Sequence, residues 1–328
     1  MKPALILSFR ILLSVLILFA GTWALTGIQS WTRWNGWLTV GLPLLVLIVI
    51  GVRKPILAGL GTGLLVIGFS AFLFKRVPQQ QREWWEDQSR PPEVRFDGEV
   101  VEIRHFRNFT YQSSQPGDWT PNFETRQFDL SKLSRLDFCL ASFPESSIAA
   151  HTFLSFGFGP DGYLCVSAEV RKERGEAYSV IDGIFRHYEL FFTLGDERDL
   201  IGLRSHHRGE PVRIYPIRAS PEAMKRLLRS LLERTGNLAR QPEFYHTVLN
   251  NCVTTLLVEV NEATDRPIGY DHRLLFPAFS DELIFDLGLI DTSLSFDEAR
   301  ERFLVDPKAA GETGSGDYSR RLRAGSSD

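Results

Sequence analysis

The pattern of apolar and polar positions divides this chain near residue 76. Before that point the sequence is almost wholly apolar and contains three runs, 11–27, 37–52 and 56–74, each close to the roughly 17–25 residues that cross a bilayer core. The pattern predicts a three-helix transmembrane anchor over residues 1–76, with Arg53, Lys54 and Pro55 forming a tight turn between the second and third helices. Residues 77–95, rich in Gln, Arg and acidic side chains, read as a linker. Alternating or short apolar runs then predict strands over 100–106, 126–130, 136–142, 151–158, 163–171, 187–194 and 212–216, with a Gly- and Pro-containing hairpin turn between 158 and 163. Helical spacing follows. Ser220 is an N-cap, Pro221 the first helical residue, Leu227, Leu228, Leu231 and Leu232 the apolar face, and Gly236 the end. A second helix starts near Asn251, and two short ones lie near 280–288 and 295–304. The class is α+β, an antiparallel sheet with packed helices over 96–305, and the polar, Gly-rich tail 306–328 reads as disordered.

Charge sets an orientation. Lys2, Arg10, Arg53 and Lys54 mark cytoplasmic ends, so three crossings deliver the rest of the chain of this multi-pass protein to the extracytoplasmic face of a plasma or inner membrane. Lys75 and Arg76 oppose this mildly. Trp31, Trp34 and Trp37 suit an outer interfacial belt, with Trp84 and Trp85 on the same surface. The alternative is a first segment cleaved as a signal peptide after the small residues near Ala20 to Ala24, which leaves the domain on the same side. A net charge of −3 over 328 residues gives no basis for a nucleic-acid partner. Oligomeric state is not readable.

Candidate chemistry centres on His151, opening a strand, and Cys252, where a polar turn enters a helix. A thiol at a helix N-terminus has its thiolate favoured by the dipole and free N–H groups, and an imidazole beside it can take its proton. The plain alternative is a structural Cys and an unrelated His. The strand after His151 runs back beside it, which brings Glu169 or Arg171 across from the imidazole. Glu169 is the better orienting group, and an ordinary strand ion pair is its alternative. Asn251 fits a helix cap. The polar stretch 173–186, with Glu176 and Tyr178, either lines a site or forms a solvated loop, and Glu197, Arg198, Asp199 and Arg204 fit a surface ion-pair network. Cys139 and Cys165 lie in strand-like runs and read as core, with a bridge between them the less favoured reading. His206 and His207, placed on a strand, point to opposite faces and lack partners at metal-ligand spacing; no metal and no cofactor is expected. No phosphate loop or dinucleotide fingerprint is present.

The segments 150–158 (Ala-His-Thr-Phe-Leu-Ser-Phe-Gly-Phe), 169–173, 175–179, 185–190, 197–201 and 244–254 (Phe-Tyr-His-Thr-Val-Leu-Asn-Asn-Cys-Val-Thr) together resemble the Lnb-type lipoprotein N-acyltransferase periplasmic domain, over residues 120–305. Val253 departs from the Thr more usual after the nucleophile. The resemblance implies a circularly permuted papain-like domain related to lecithin–retinol acyltransferase, with Cys252 as nucleophile and His151 as base. It implies a membrane phospholipid as acyl donor and a lipoprotein N-terminal amine as acceptor. Two other functions fit the residues: a periplasmic cysteine amidase or peptidase with a polar groove, and a non-enzymatic membrane sensor or scaffold in which Cys252 is inert.

Overall fold

The computed structural model describes residues 3–33, 35–113, 115, 118–310 and 317–324. The chain divides into two compact units, residues 1–79 with 177–188, and residues 80–176 with 189–328.

The first unit is built on helices α1 (Pro3–Thr32), α2 (Leu42–Arg53) and α3 (Pro55–Lys75). Two apolar helices are long enough to cross a membrane, Leu12–Thr32 and Pro55–Lys75. The expected third, over 37–52, is not: a π-helical turn at Trp37–Gly41 precedes α2, and the apolar helical stretch Leu38–Ile48 is too short. Trp34 lies outside the described residues, as does the side chain of Trp37. Residues 177–188, including the short helix α4 (Val180–Ile184), pack with α1 and α3. Phe185 sits among Trp23, Ala24 and Phe69. Gly27 makes room for this, since a Cβ there would lie 2.2 Å from Phe69 and 2.8 Å from Phe185. Asp182 accepts from Ser30 and pairs with Arg33, while Trp31 stacks on His187 at 3.7 Å and donates its indole N–H to the Phe185 carbonyl. This half of the polar stretch 173–186 is therefore neither a site lining nor a solvated loop, and the strand expected from His187 starts only at Glu189.

The second unit holds ten strands: β1 (Glu93–Asp97), β2 (Val100–Arg107), β3 (Thr110–Tyr111), β4 (Trp119–Thr120), β5 (Phe123–Asp129), β6 (Arg135–Ser142), β7 (Ala150–Gly157), β8 (Tyr163–Arg171), β9 (Glu189–Gly195) and β10 (Val212–Pro216). Eight form one sheet in the order β1-β2-β9-β8-β7-β6-β10, with β5 also on β2; β3 and β4 make a separate pair. All pairings in the large sheet are antiparallel except β2 with β9, which meet at Arg107 and Gly195. That contact requires glycine, because a Cβ at Gly195 would lie 2.7 Å from the Arg107 carbonyl. Every residue of β7 and β9 is buried, so the middle of the sheet is covered on both faces, as near-continuous apolar strands demand.

The helices of this unit are α5 (Glu197–Gly202), α6 (Pro221–Arg240), α7 (Cys252–Ala263), α8 (Ser280–Asp286), α9 (Phe296–Arg302), α10 (Pro307–Ala310) and α11 (Tyr318–Ala324). Ser220 caps α6 by accepting from the Ala223 N–H. Gly236 does not end it: the apolar face continues through Leu238, and the helix stops before Pro242, whose ring denies Gln241 the helical conformation.

Two further expectations give way to packing. The linker 77–95 is folded from Gln80 onward: Trp84 is buried, with Arg171 over its ring at 4.2 Å, and Arg82 pairs with Glu173 and Glu189. Trp84 is thus a core residue of the domain, not an interfacial one. The tail, expected to be disordered, contains α10 and α11 in its described part. Tyr318 of α11 is fully buried, and Arg323 inserts between Asp137 and Glu197, two carboxylates without solvent exposure. Burying those charges without a cation is costly, which holds the helix in place.

Candidate active site

Cys252 is the first residue of α7, and the turn before it is tied down by one side chain. Asn251 accepts from the N–H groups of Val253 and Thr254 and donates to the Thr247 carbonyl at 2.7 Å, while Thr254 returns a bond to the Asn251 N–H. This capping box fixes the rotation of α7 about its first turn. It also uses two of the N–H groups expected to stabilise a thiolate. The stabilisation comes instead from strand β7. Burial pushes the Cys252 thiol up, but the hydrogen bond and charge of His151 and the N–H and hydroxyl of Thr152 outweigh it and hold the thiol below its ordinary value.

His151 is buried near the start of β7, and its Nε2 lies 2.7 Å from Ser167 Oγ and 3.1 Å from Glu169 Oε1, both on β8. The Ser167 hydroxyl donates to the same Glu169 oxygen at 2.7 Å, so its oxygen accepts from Nε2–H. With Nε2 engaged on that side, Nδ1 is the nitrogen left for the thiol. Burial and the charge of Arg204 push the imidazole down; the carboxylate of Glu169 and the hydrogen bonds to Cys252 and Glu169 reverse this, and His151 ends above its ordinary value. Glu169 is held well below the usual carboxylate range: burial raises it, and His151, Arg204 and Ser167 together outweigh burial. Arg204 reaches Glu169 at 3.5 Å and Glu210 at 3.0 Å.

Of the residues singled out from sequence, the structure gathers Cys252, His151, Glu169 and the capping Asn251. Arg171 instead bonds the Gln88 carbonyl and Gln80. Glu176 accepts from the Glu173 N–H within its own turn, and Tyr178 packs on Tyr188 in the first unit. Ser167 and Thr152 were missed, since a hydroxyl residue in a strand carries no pattern of its own. Arg204 was assigned to a surface network with Glu197 and Asp199, yet all three are buried: Asp199 takes a bidentate bond from Arg107, and Glu197 takes Arg323. Their signal was the length of the apolar stretches around them. His206 and His207 lie in a π-helical turn, Leu203–His207, rather than on a strand, and face Tyr318 and Tyr111. Among the described residues no three His, Cys, Asp or Glu side chains gather as a metal ion needs. Cys139 and Cys165 are buried free thiols.

Beside the thiol lies a cavity of about 700 Å³. Thr152 and Val253, the immediate neighbours of His151 and Cys252, line it, and its wall continues through Leu154, Leu256, Leu257 and Leu274 between β7, α6 and α7. Arg218, Arg226 and Arg266 also line it.

The fold is thus a mixed α+β domain whose antiparallel sheet presents an imidazole to a thiol at a helix start. Residues 119–278 match the family model described as the Lnb N-terminal periplasmic domain, the family whose motifs the sequence resembles. A periplasmic domain preceded by two membrane-length apolar helices fits a membrane-anchored protein. No curated protein and no solved structure matches the chain.

Proposed function

We propose that this protein is a membrane-anchored periplasmic thiol acyltransferase, a circularly permuted papain-like enzyme that moves an acyl chain from a phospholipid to the N-terminal amine of a lipoprotein. The observation that carries this reading is the apolar cavity that starts at the two residues flanking the Cys–His pair. A peptide-cleaving enzyme needs polar groups along a groove to hold a backbone, whereas this space is lined chiefly by Leu, Ile, Val and Ala and suits a hydrocarbon chain.

In the proposed reaction His151 Nδ1 accepts the Cys252 proton, and the thiolate adds to the carbonyl carbon of an acyl ester. The S–C bond forms, the ester C–O bond breaks, and the leaving alkoxide takes the proton from His151 to depart as a lysophospholipid. The lipoprotein amine then attacks the thioester. The N–C bond forms, the C–S bond breaks, and the amine proton passes to His151 and on to Cys252. A thioester suits an amine acceptor, because a thiolate leaves more readily than an alkoxide. Ser167 and Glu169 hold Nε2–H throughout, so the imidazole keeps Nδ1 toward the sulfur.

The test is the intact mass of the full chain after incubation with phospholipid vesicles, wild type beside Cys252→Ala. A hydroxylamine-sensitive gain of one acyl chain on the wild type alone is expected. A Cys252→Ala protein that still turns over phospholipid overturns the mechanism.

A further inference from the structure

Three segments converge on Cys252, and each exposes apolar side chains. The turn before His151 carries Ile148, the turn before Cys252 carries Val248 and Leu249, and the segment after Leu274 carries Leu275, Phe276 and Phe279; all six are exposed. They belong to one neighbourhood. Leu274 packs in the same cluster as Cys252 and Val253, the Ala278 N–H bonds the Ile148 carbonyl, and Phe276 and Phe279 meet edge to face. Leu249, at 75 % exposure, stands at the tip of a turn whose ends are closed by the His246–Asn250 bridge. Scattered single apolar residues need no explanation, but a ring of them around one buried thiol does.

We propose that this ring is a membrane-docking surface, which seats the thiol end of the cavity on the outer leaflet of the bilayer holding the chain's own anchor. Two observations select a lipid surface as the occupant. The ring adjoins the apolar cavity, whose lining residues Thr152, Val253 and Leu274 lie close to it along the same three segments, so an acyl chain leaving the leaflet at the ring is beside the cavity wall. And only residues 76–79 separate the last helix of the anchor from Gln80, whose side chain already bonds the Leu238 carbonyl within the domain. Four residues span at most about 15 Å, so the domain works beside the surface in which its anchor is embedded. Apolar side chains at loop tips gain by entering the headgroup–acyl boundary. The docking explains how the proposed donor is reached and in that respect rests on the acyl-transfer reading; its test does not.

The experiment uses the full chain carrying Cys252→Ala, in nanodiscs of phosphatidylethanolamine and phosphatidylglycerol. A single environment-sensitive fluorophore is placed at Leu249→Cys or Phe276→Cys, with Val100→Cys as an exposed control on β2, three places from β7 in the sheet. Emission at 249 and 276 is expected to shift to the blue and to be lost when the acyl chains are brominated, with the control unchanged. Equal emission with and without bromine at both ring positions overturns the proposal, including the case where a second copy or a protein partner covers the ring instead. A ring that is quenched in a protein whose wild type forms no thioester leaves the docking surface standing and removes the acyl-transfer reading.

Discussion

Three thiols in the domain are buried to a similar degree and behave in opposite ways. Cys139 on β6 and Cys165 on β8 face a closed core: burial pushes both thiols well up, and carboxylates push further in the same direction, Asp137 and Glu197 on Cys139, Glu197 and Asp196 on Cys165. Cys252 meets the same burial beside an imidazole whose hold on its proton Glu169 strengthens, and its thiol moves down. Burial silences a thiol unless a cation compensates, and a helix start does not supply that cation when its N–H groups are taken by an Asn cap. The same contrast holds for the charged clusters behind the thiols. Arg323, Asp137, Glu197 and Arg135 neutralise one another beside Cys139, whereas the neighbours of His151 and Cys252, Thr152 and Val253, line a cavity that a ligand can fill.

The largest effect is expected where the contrast predicts stability rather than reactivity. Arg323→Ala leaves Asp137 and Glu197 buried without their main partner and should cost about 3–5 kcal/mol, the usual result of removing one member of a buried ion cluster. Denaturant unfolding measures the loss. Under folding conditions the alkylation of Cys252 should not change, and Cys139 and Cys165 should stay unmodified, because removing the cation raises the Cys139 thiol further and Cys165 stays buried. A variant in which the strand thiols become reactive while the domain remains folded contradicts the comparison.

His151→Ala should make the third thiol resemble the other two. Alkylation of Cys252 at neutral pH is expected to fall about 100-fold, the low end of what a positioned base contributes. Unfolding should change little by comparison. Mapping the modified cysteine by peptide mass keeps the three apart, and unchanged labelling of Cys252 would remove His151 from the site.

Much of this contrast is legible in the sequence. Strand spacing placed His151 and Glu169 opposite each other, because an antiparallel pair with a short turn has its register fixed by the turn: Leu154 pairs with Val166, and the same sum of residue numbers pairs 151 with 169. The apolar runs around Cys139 and Cys165 marked them as core, and the polar turn before Cys252 marked a helix start. What failed depended on tertiary partners. Arg323 and Tyr318 sit in a short polar helix whose only stabilisation is the pocket it enters, so composition alone read it as tail. Trp84 looked like an interfacial residue because its cover, Arg171, lies in another strand. The second apolar run has the composition of a spanning helix, but among the described residues only Leu12–Thr32 and Pro55–Lys75 are long enough to cross a membrane. The periplasmic side of the domain accordingly rests on the family match rather than on a count of crossings.

The smallest effect separates charge from geometry within the site. The thiol of Cys252 lies below its ordinary value, so its thiolate persists as pH falls and disappears only on passing that lowered value; the imidazole lies above its own, so its charge persists as pH rises to that raised value. The acid limb of the alkylation profile therefore reports the thiol. Glu169→Gln removes the charge that holds the imidazole up, which weakens the cation beside the sulfur and moves the acid limb to higher pH. A displacement of about one unit slows labelling at neutral pH about tenfold. Stability should respond in the same sense: a depressed carboxylate stabilises the fold above its ordinary range and loses that contribution as pH falls through its folded value, so wild type and Glu169→Gln should converge in acid. Ser167→Ala keeps the charge and removes only the hydroxyl between Nε2 and Glu169. One hydrogen bond of about 1 kcal/mol corresponds to roughly fivefold. The expected result is a slower rate with the acid limb nearly in place, restored by Ser167→Thr. A limb that moves as far in Ser167→Ala as in Glu169→Gln would mean that the carboxylate acts on His151 only through the serine, and that the 3.1 Å contact between Glu169 and the imidazole contributes little on its own.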